Sequence, residues 1–280
     1  MSMKTILVPT EPHDLMPSVL ETALLLARRF DSYVEGFALR PAIDSFVAMD
    51  PVGSIAMTRV RQSDVEATRQ ARDTFEQFME SRGIPPATSG TAALSRGWLN
   101  DAPDGDDFVG SYARVFDATV LGRPGDAMQS PRMITLEACL FDSGRPVLIA
   151  PPSPPQQIGD NVLIAWNCST EQANTTALAM PLLHRARKVT ILMVEGATVP
   201  GPNSGQLARY LERNGIAAEV INLPTERRGA GEVILTKARS LGCDLLIKGA
   251  YTQSRLRQMI FGGTTRHILE NATLPVLMAH

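Results

Sequence analysis

Four prolines fall within five residues in the run Pro151-Pro152-Ser153-Pro154-Pro155-Gln156-Gln157, and the sequence before this break is echoed after it. Such a run continues neither a helix nor a central strand, so residues 151–157 read as a stiff, extended linker spanning at most about 24 Å. On either side, Ile6-Leu7-Val8-Pro9-Thr10-Glu11 corresponds to Val162-Leu163-Ile164-Ala165-Trp166-Asn167. Later, Asp117-Ala118-Thr119-Val120-Leu121-Gly122 is matched by Asp244-Leu245-Leu246-Ile247-Lys248-Gly249. Each half then closes on a proline-led apolar run, Pro146–Ala150 and Pro275–Ala279. First and last runs stand about 27 residues further apart in the first half. A tandem duplication with an insertion in copy one accounts for this pattern. The expected layout is domain 1 over 1–150, with the insertion at about 41–60, the linker 151–157, and domain 2 over 158–280.

Within each half, short β-branched runs alternate with amphipathic stretches. Ser18 to Phe30 places Leu20, Ala23, Leu24 and Ala27 on one helical face, and Ser32 to Leu39 reads as a strand. The insertion around Pro41–Val60 reads as a long loop, followed by a charged helix over about Arg61–Arg82. In the second half, 189–194 reads as a strand, and Gln206–Asn214 and Ala230–Leu241 as helices. This alternation gives an α/β fold with parallel, doubly wound sheets. Ligands of such sheets lie outside the carboxyl ends of the strands, where the strand order reverses. Attention therefore goes to residues 9–11, 122–125, 165–169 and 249–252.

Composition removes several function classes. The net charge of −2 and pI near 6.1 lack the basic footprint of a general nucleic-acid binder. The halves differ: residues 1–150 carry 14 Lys+Arg against 20 Asp+Glu, and residues 151–280 carry 13 against 9, leaving a basic surplus to explain. No run approaches the roughly 18 apolar residues of a membrane span, and Met1–Lys4 passes into a strand-like run without an apolar leader. Cys139, Cys168 and Cys243 match neither a disulfide framework nor a zinc spacing, so a reduced, cytoplasmic setting is expected, with no membrane or nucleic-acid partner. Four histidines, His13, His184, His267 and His280, lack ligand spacing, and no metal site is read. There is no P-loop and no Gly-x-Ser-x-Gly elbow. Cys168 has no cationic neighbour in sequence to activate it, and Asp101, Asp104, Asp106 and Asp107 read as a solvated helix start.

The most informative segment runs from Gly249-Ala250-Tyr251-Thr252 through Gly262-Gly263-Thr264-Thr265. Glycine admits phosphate oxygens to backbone N–H groups, and Gly262-Gly263 opening a helix adds the favourable end of its dipole. Thr264 and Thr265 offer hydroxyls, and Arg255, Arg257 and Arg266 bias the region towards anions. The bland alternative is a turn before a helix capped by Thr264 or Thr265. This segment and the paired strands resemble a tandem universal stress protein, whose nucleotide-binding members carry Gly-x2-Gly-x9-Gly-[Ser/Thr] at this place. The resemblance covers nearly all of both halves and implies two Rossmann-like or flavodoxin-like domains of the adenine nucleotide alpha hydrolase-like kind.

What the resemblance implies for function is a stress-response binding protein that holds ATP or another adenine nucleotide in its second half, with Mg²⁺ if a triphosphate is bound. Gly249, Thr252, Gly262, Gly263, Thr264 and Thr265 would surround the phosphates, with Asn167 at the ribose, Val194 flanking the base, and Ala165, Trp166 and Tyr251 beside them. Trp166 has two readings, stacking on a base or packing inside the fold. The sequence also departs from the family pattern. Thr252 stands where the second glycine belongs, and a β-branched residue tolerates positive φ poorly. Asn167 stands where binding members often have aspartate. In the first half, Gly122-Arg123-Pro124-Gly125 keeps the first spacing, but Thr135 and Leu136 replace the rest of the motif. Glu11 there reads as a surface acid, and copy one as a structural or regulatory partner.

The rival reading is a nucleotide-free interaction protein working through an unidentified protein partner. No catalytic residue is assigned, and weak ATP hydrolysis would need a general base that these loops do not offer. Pairing of the family's domains through their final strands implies that Pro146–Ala150 and Pro275–Ala279 lie antiparallel, as an intramolecular pseudo-dimer, with a homodimer of whole chains less favoured.

Overall fold

The structure is a computed structural model. It describes residues 2–40, 51–88, 93–125, 130–224, 229–250 and 262–280, with only the backbone of 51–64. The first half runs β1 (Thr5–Thr10), α1 (Met16–Phe30), β2 (Tyr33–Ala38), α2 (Pro51–Ser81), β3 (Ser95–Leu99), α3 (Asp106–Tyr112), β4 (Ala118–Gly122), α4 (Met133–Asp142) and β5 (Val147–Ala150). The second half runs β6 (Asn161–Trp166), α5 (Thr170–Leu178), α6 (Met180–Leu183), β7 (Lys188–Val194), α7 (Ser204–Arg213), β8 (Glu219–Leu223), α8 (Ala230–Ser240), β9 (Leu245–Ile247), α9 (Gly263–Asn271) and β10 (Val276–Met278).

The ten strands of the described residues form one sheet, in the order β3-β2-β1-β4-β5-β10-β9-β6-β7-β8. Every pairing is parallel except the middle one, where Val147, Leu148 and Ile149 of β5 face Met278, Leu277 and Val276 of β10 in antiparallel register. The two proline-led strands thus lie against each other as expected, and the strand order reads outward from this seam in the same way on both sides. Pro146 and Pro275 sit just before the ladder, where a missing N–H costs nothing. Their carbonyls still accept from Thr119 and Leu246.

Side-chain alternation along these buried strands builds one apolar layer on each face of the sheet. Ile6, Val8, Leu148, Val162, Ile164 and Leu277 face the layer under α1, α6 and α7, while Leu7, Val147, Ile149, Leu163, Val276 and Met278 face the layer under α3, α4, α8 and α9. Both layers run across the seam without a break. Each such fully buried aliphatic chain is worth about 1.5–3 kcal/mol, so the seam is held by packing as well as by its hydrogen bonds.

One aspartate device recurs in both halves. Asp117, just before β4, accepts from the backbone N–H of Lys4 and Thr5 at 2.6 and 3.0 Å. Asp244, just before β9, accepts from Asp160 and Asn161 at 3.2 and 3.1 Å. Each pins the start of its half's first strand to the strand beside it. Arg29 at the end of α1 joins the halves: it meets Asp160 at 2.7 Å and donates to the carbonyls of Gly159 and Arg185.

The insertion departs from the sequence reading. Residues 51–60, read as loop, are the opening of α2, which has 31 residues where the corresponding α7 has 10. Pro51 supplies the reason, because proline is well placed at the first helical position. Residues 41–50 lie outside the described residues.

Candidate functional site

The strand order reverses between β6 and β9, and their carboxyl ends bring Asn167 and Gly249 together. After β6 the chain makes a tight turn. Asn167 Oδ1 accepts from Ser169 N–H at 3.2 Å, and Cys168 takes a left-handed φ of 68°. The turn aims Ser169 Oγ at Gln172 N–H (3.1 Å), capping α5, a satisfied donor that fixes where α5 begins.

That helix start rests on Gly249. A Cβ at position 249 would lie 2.5 Å from the Gln172 nitrogen and 2.7 Å from its Cα, so only glycine fits beneath α5. The Gln172 side chain is fully buried, and its Oε1 accepts from Gly249 N–H at 2.7 Å. Beside it, Lys248 is 4% exposed and donates to the Gly249 carbonyl at 2.6 Å. Burial pushes its ammonium down to about 8, against a smaller upward pull from Glu171.

The glycine pair presents the opposite situation. Gly262 is the N-cap of α9, with φ −50° and ψ 139° and no side-chain cap, and its carbonyl accepts from Thr265 and Arg266. A Cβ on Gly262 or Gly263 would meet no atom of the described residues within 4 Å, and both residues are exposed. Neither threonine caps this helix: Thr264 and Thr265 lie inside its first turn, half-buried and buried. What remains, among the described residues, is a helix start without a side-chain cap, an arrangement suited to an anion.

Among the other expected residues, Ala165 and Val194 are buried at the ends of β6 and β7, at 3% and 4% exposure. Trp166 is buried as well, and its indole N–H donates to the Pro202 carbonyl at 2.8 Å, which is the packing alternative. Tyr251 and Thr252, with Arg255 and Arg257, lie outside the described residues. Sequence reasoning missed Gln172, Ser169 and Lys248. Only Lys248, a charge ending an otherwise apolar strand run, carried a visible signal.

The first half ends its strands differently. Gly122 is closed over by Pro131, whose Cγ would lie 2.5 Å from a Cβ there. Glu11 is not a surface acid: its side chain is 20% exposed, because the turn after β1 folds it inward beside His13. Asp106 is likewise engaged, accepting from Arg132 at 3.0 Å and from Thr135 at 2.5 Å. Among the described residues no three His, Cys, Asp or Glu are grouped to hold a metal ion, and no helix is long and apolar enough to cross a membrane.

Comparison with known proteins bears on the whole arrangement. The model of the universal stress protein family matches residues 163–280. A universal stress protein of Synechocystis sp. is 28% identical over 176 residues, 58% of this chain and 57% of that one, so the match spans little more than half of that relative. The crystal structure of a universal stress protein from Archaeoglobus fulgidus is similar with a TM-score of 0.72 at 15% identity, over 100% of this chain and 99% of the other. That of a putative universal stress protein from Pseudomonas aeruginosa gives 0.56 at 16%, over 99% and 93%. At such identities the structural likeness speaks for the fold. Sheet order and family match point one way: over residues 163–280 the chain is similar to the universal stress protein family, and its fold is that of the solved universal stress proteins.

Proposed function

We propose that this chain is a stress-response binding protein whose second half holds an adenine nucleotide, ATP or a relative of it. The observation that carries the reading is the start of α9 at Gly262-Gly263, uncapped and open among the described residues, at the carboxyl end of the parallel strands. Backbone N–H groups of Gly263 and Thr264 would face phosphate oxygens, Asn167 a ribose hydroxyl, and Val194 the base. A triphosphate would bring Mg²⁺ with it on its own oxygens. The halves act as two domains, 1–150 and 158–280, in a cytoplasmic protein, the first of them a structural or regulatory partner.

The test is calorimetry with ATP on the full chain and on Gly262→Val. At position 262 no described residue lies within 4 Å of a Cβ and φ is ordinary, so the valine variant is expected to fold with unchanged melting temperature. It is expected to lose at least tenfold in affinity, because the side chain blocks approach to the N–H groups. Unchanged affinity in that variant, or no binding by the parent chain, overturns the reading.

A specific observation favours a second reading, a nucleotide-free protein acting through a protein partner. Gly249 N–H is already donated to Gln172, and the Trp166 indole is committed to Pro202, so two groups that a nucleotide would use are taken. Mass spectrometry of gently purified protein separates the two: co-purified nucleotide supports the first reading, and its absence even after added nucleotide supports the second.

A further inference from the structure

We propose that the Lys248 ammonium receives a phosphate group in the crevice between the ends of β9 and β6, and so selects phosphorylated ligands over their unphosphorylated counterparts. The inference rests on the nucleotide reading of that crevice and supplies the positive charge that its glycines lack.

The backbone places this side chain. The N–H groups of Lys248 and Ala250 donate to the Leu277 and Ala279 carbonyls at 3.0 and 2.9 Å, so the extended run of β9 continues through residue 250 beside β10. In such a run the polar groups of the residue between them point the other way, here towards β6. The ladder between β6 and β9 ends at Ile164 and Ile247, so beyond it Gly249 is met by side chains instead of a strand. Gln172 Oε1 accepts from its N–H at 2.7 Å, and Lys248 Nζ donates to its carbonyl at 2.6 Å. The ammonium thus stands in the crevice where the strand order reverses, the place at which parallel sheets bind their ligands.

An ammonium carries three N–H donors, and among the described residues one of them is matched, by the neighbouring Gly249 carbonyl, although the side chain is 4% exposed. A charge so deeply buried costs stability unless it is paired. Glu171, at the start of α5, draws on it, but no ion pair joins the two. The first half serves as an internal comparison. In the matching runs Asp117–Gly122 and Asp244–Gly249, the place of Lys248 is taken by Leu121, itself 6% exposed. This strand end therefore packs with an apolar residue, and the fold does not ask for a cation there. Leucine goes with the half whose Gly122 is closed over by Pro131, and lysine with the half whose α9 start has no side-chain cap. A phosphate has oxygens enough to accept from the two remaining Nζ donors and from backbone N–H groups as well. Burial holds the ammonium at about 8, against the smaller upward pull of Glu171, so the charge that attracts phosphate is present below pH 8 and lost above it. A bound phosphate favours the charged form, and binding just above pH 8 therefore takes up a proton.

The experiment is calorimetry on the full chain and on Lys248→Met, with ATP, tripolyphosphate and adenosine as probes at pH 7.5 and 9.5. At pH 7.5 the variant is expected to bind ATP and tripolyphosphate at least tenfold more weakly than the parent chain, and adenosine equally. Raising the pH to 9.5 is expected to weaken phosphate binding by the parent at least about fivefold and to leave the variant unchanged. Titrations of the parent at pH 8.5, in buffers of different ionisation enthalpy, are expected to show proton uptake. If the variant fails to fold, the pH comparison and the proton uptake on the unaltered chain decide. Equal ATP affinity of parent and variant, no pH dependence in the parent, or adenosine held as tightly as ATP overturns the role of Lys248 and leaves the nucleotide reading standing. ATP bound no tighter than tripolyphosphate, with both dependent on Lys248, overturns the nucleotide reading and leaves the phosphate contact. No binding of either phosphate compound by the parent overturns both.

Discussion

Lys248→Met is expected to stabilise the protein, and by an amount that vanishes in alkali. The Lys248 ammonium is 4% exposed and has one hydrogen bond, to the Gly249 carbonyl. Burial holds it at about 8, against 10.5 in an unfolded chain. A lysine whose folded value is depressed favours unfolding wherever it is protonated in both states, that is, below about pH 8. The gap from 10.5 to about 8, at 1.36 kcal/mol per pH unit, corresponds to about 3 kcal/mol of lost stability at pH 7. Methionine fills a similar volume without the charge and forfeits one hydrogen bond worth about 1 kcal/mol. The net gain is about 2 kcal/mol at pH 7, or roughly 3 °C in melting temperature for a chain of this size. Urea denaturation of both proteins at pH 7, 8, 9 and 10 reads it directly. Stability of the parent chain should rise towards that of the variant between pH 8 and 10. A variant less stable than its parent at pH 7, or a difference indifferent to pH, refutes the reasoning.

Gly249→Ala should cost about 1–3 kcal/mol in urea denaturation, because its Cβ would press on the backbone of Gln172 rather than on a side chain that can swing away. Leu277→Ala, at the fully buried centre of the β5–β10 seam, should cost about 2–5 kcal/mol, and scattering should show added self-association if the seam strands become accessible. Thiol labelling at pH 8 should reach the half-exposed Cys168 first. Cys243, pushed up by burial to about 11, should follow slowly, and the fully buried Cys139, raised by the same cause, should label only on unfolding. Simultaneous labelling of all three in native buffer would contradict these burials.

Much of the scaffold was legible in the sequence because its strands are buried on both faces and so appear as continuous apolar runs. Ile6–Glu11, Asp117–Gly122 and their counterparts fall on β1, β4, β6 and β9 to within a residue or two. The two proline-led runs were recognisable as a pair because each combines a strand's apolar core with a start that tolerates a missing N–H. Edge strands were not legible: β3 and β8 are half exposed, and runs such as Ser95-Arg96-Gly97 carry no alternation that a periodicity argument can use. The opening of α2 was hidden for a related reason, since Pro51 and Gly53 resemble loop punctuation until the helix they begin is seen. At the candidate site the glycines were visible but their separate duties were not. Gly249 is there to admit a helix and Gly262 to leave space open, a difference set by Gln172, far away in sequence. The environment of Glu11 was invisible for the same reason, because Glu66, Gln70 and Thr74 of α2, distant in sequence, line the cleft it faces.

The reversal of strand direction at the seam has a consequence for how the molecule can communicate. Parallel strands on one side of β5–β10 point opposite to those on the other, so the Glu11–His13 turn and the Gly262-Gly263 loop stand on opposite rims of the sheet. No single small ligand bridges them, and a bivalent one would have to reach around the molecule. Whatever one rim senses must travel to the other through the layers that Leu148 and Leu277 share. The chain is therefore built as a two-ended object, able to present one chemistry to each side while its centre stays shut.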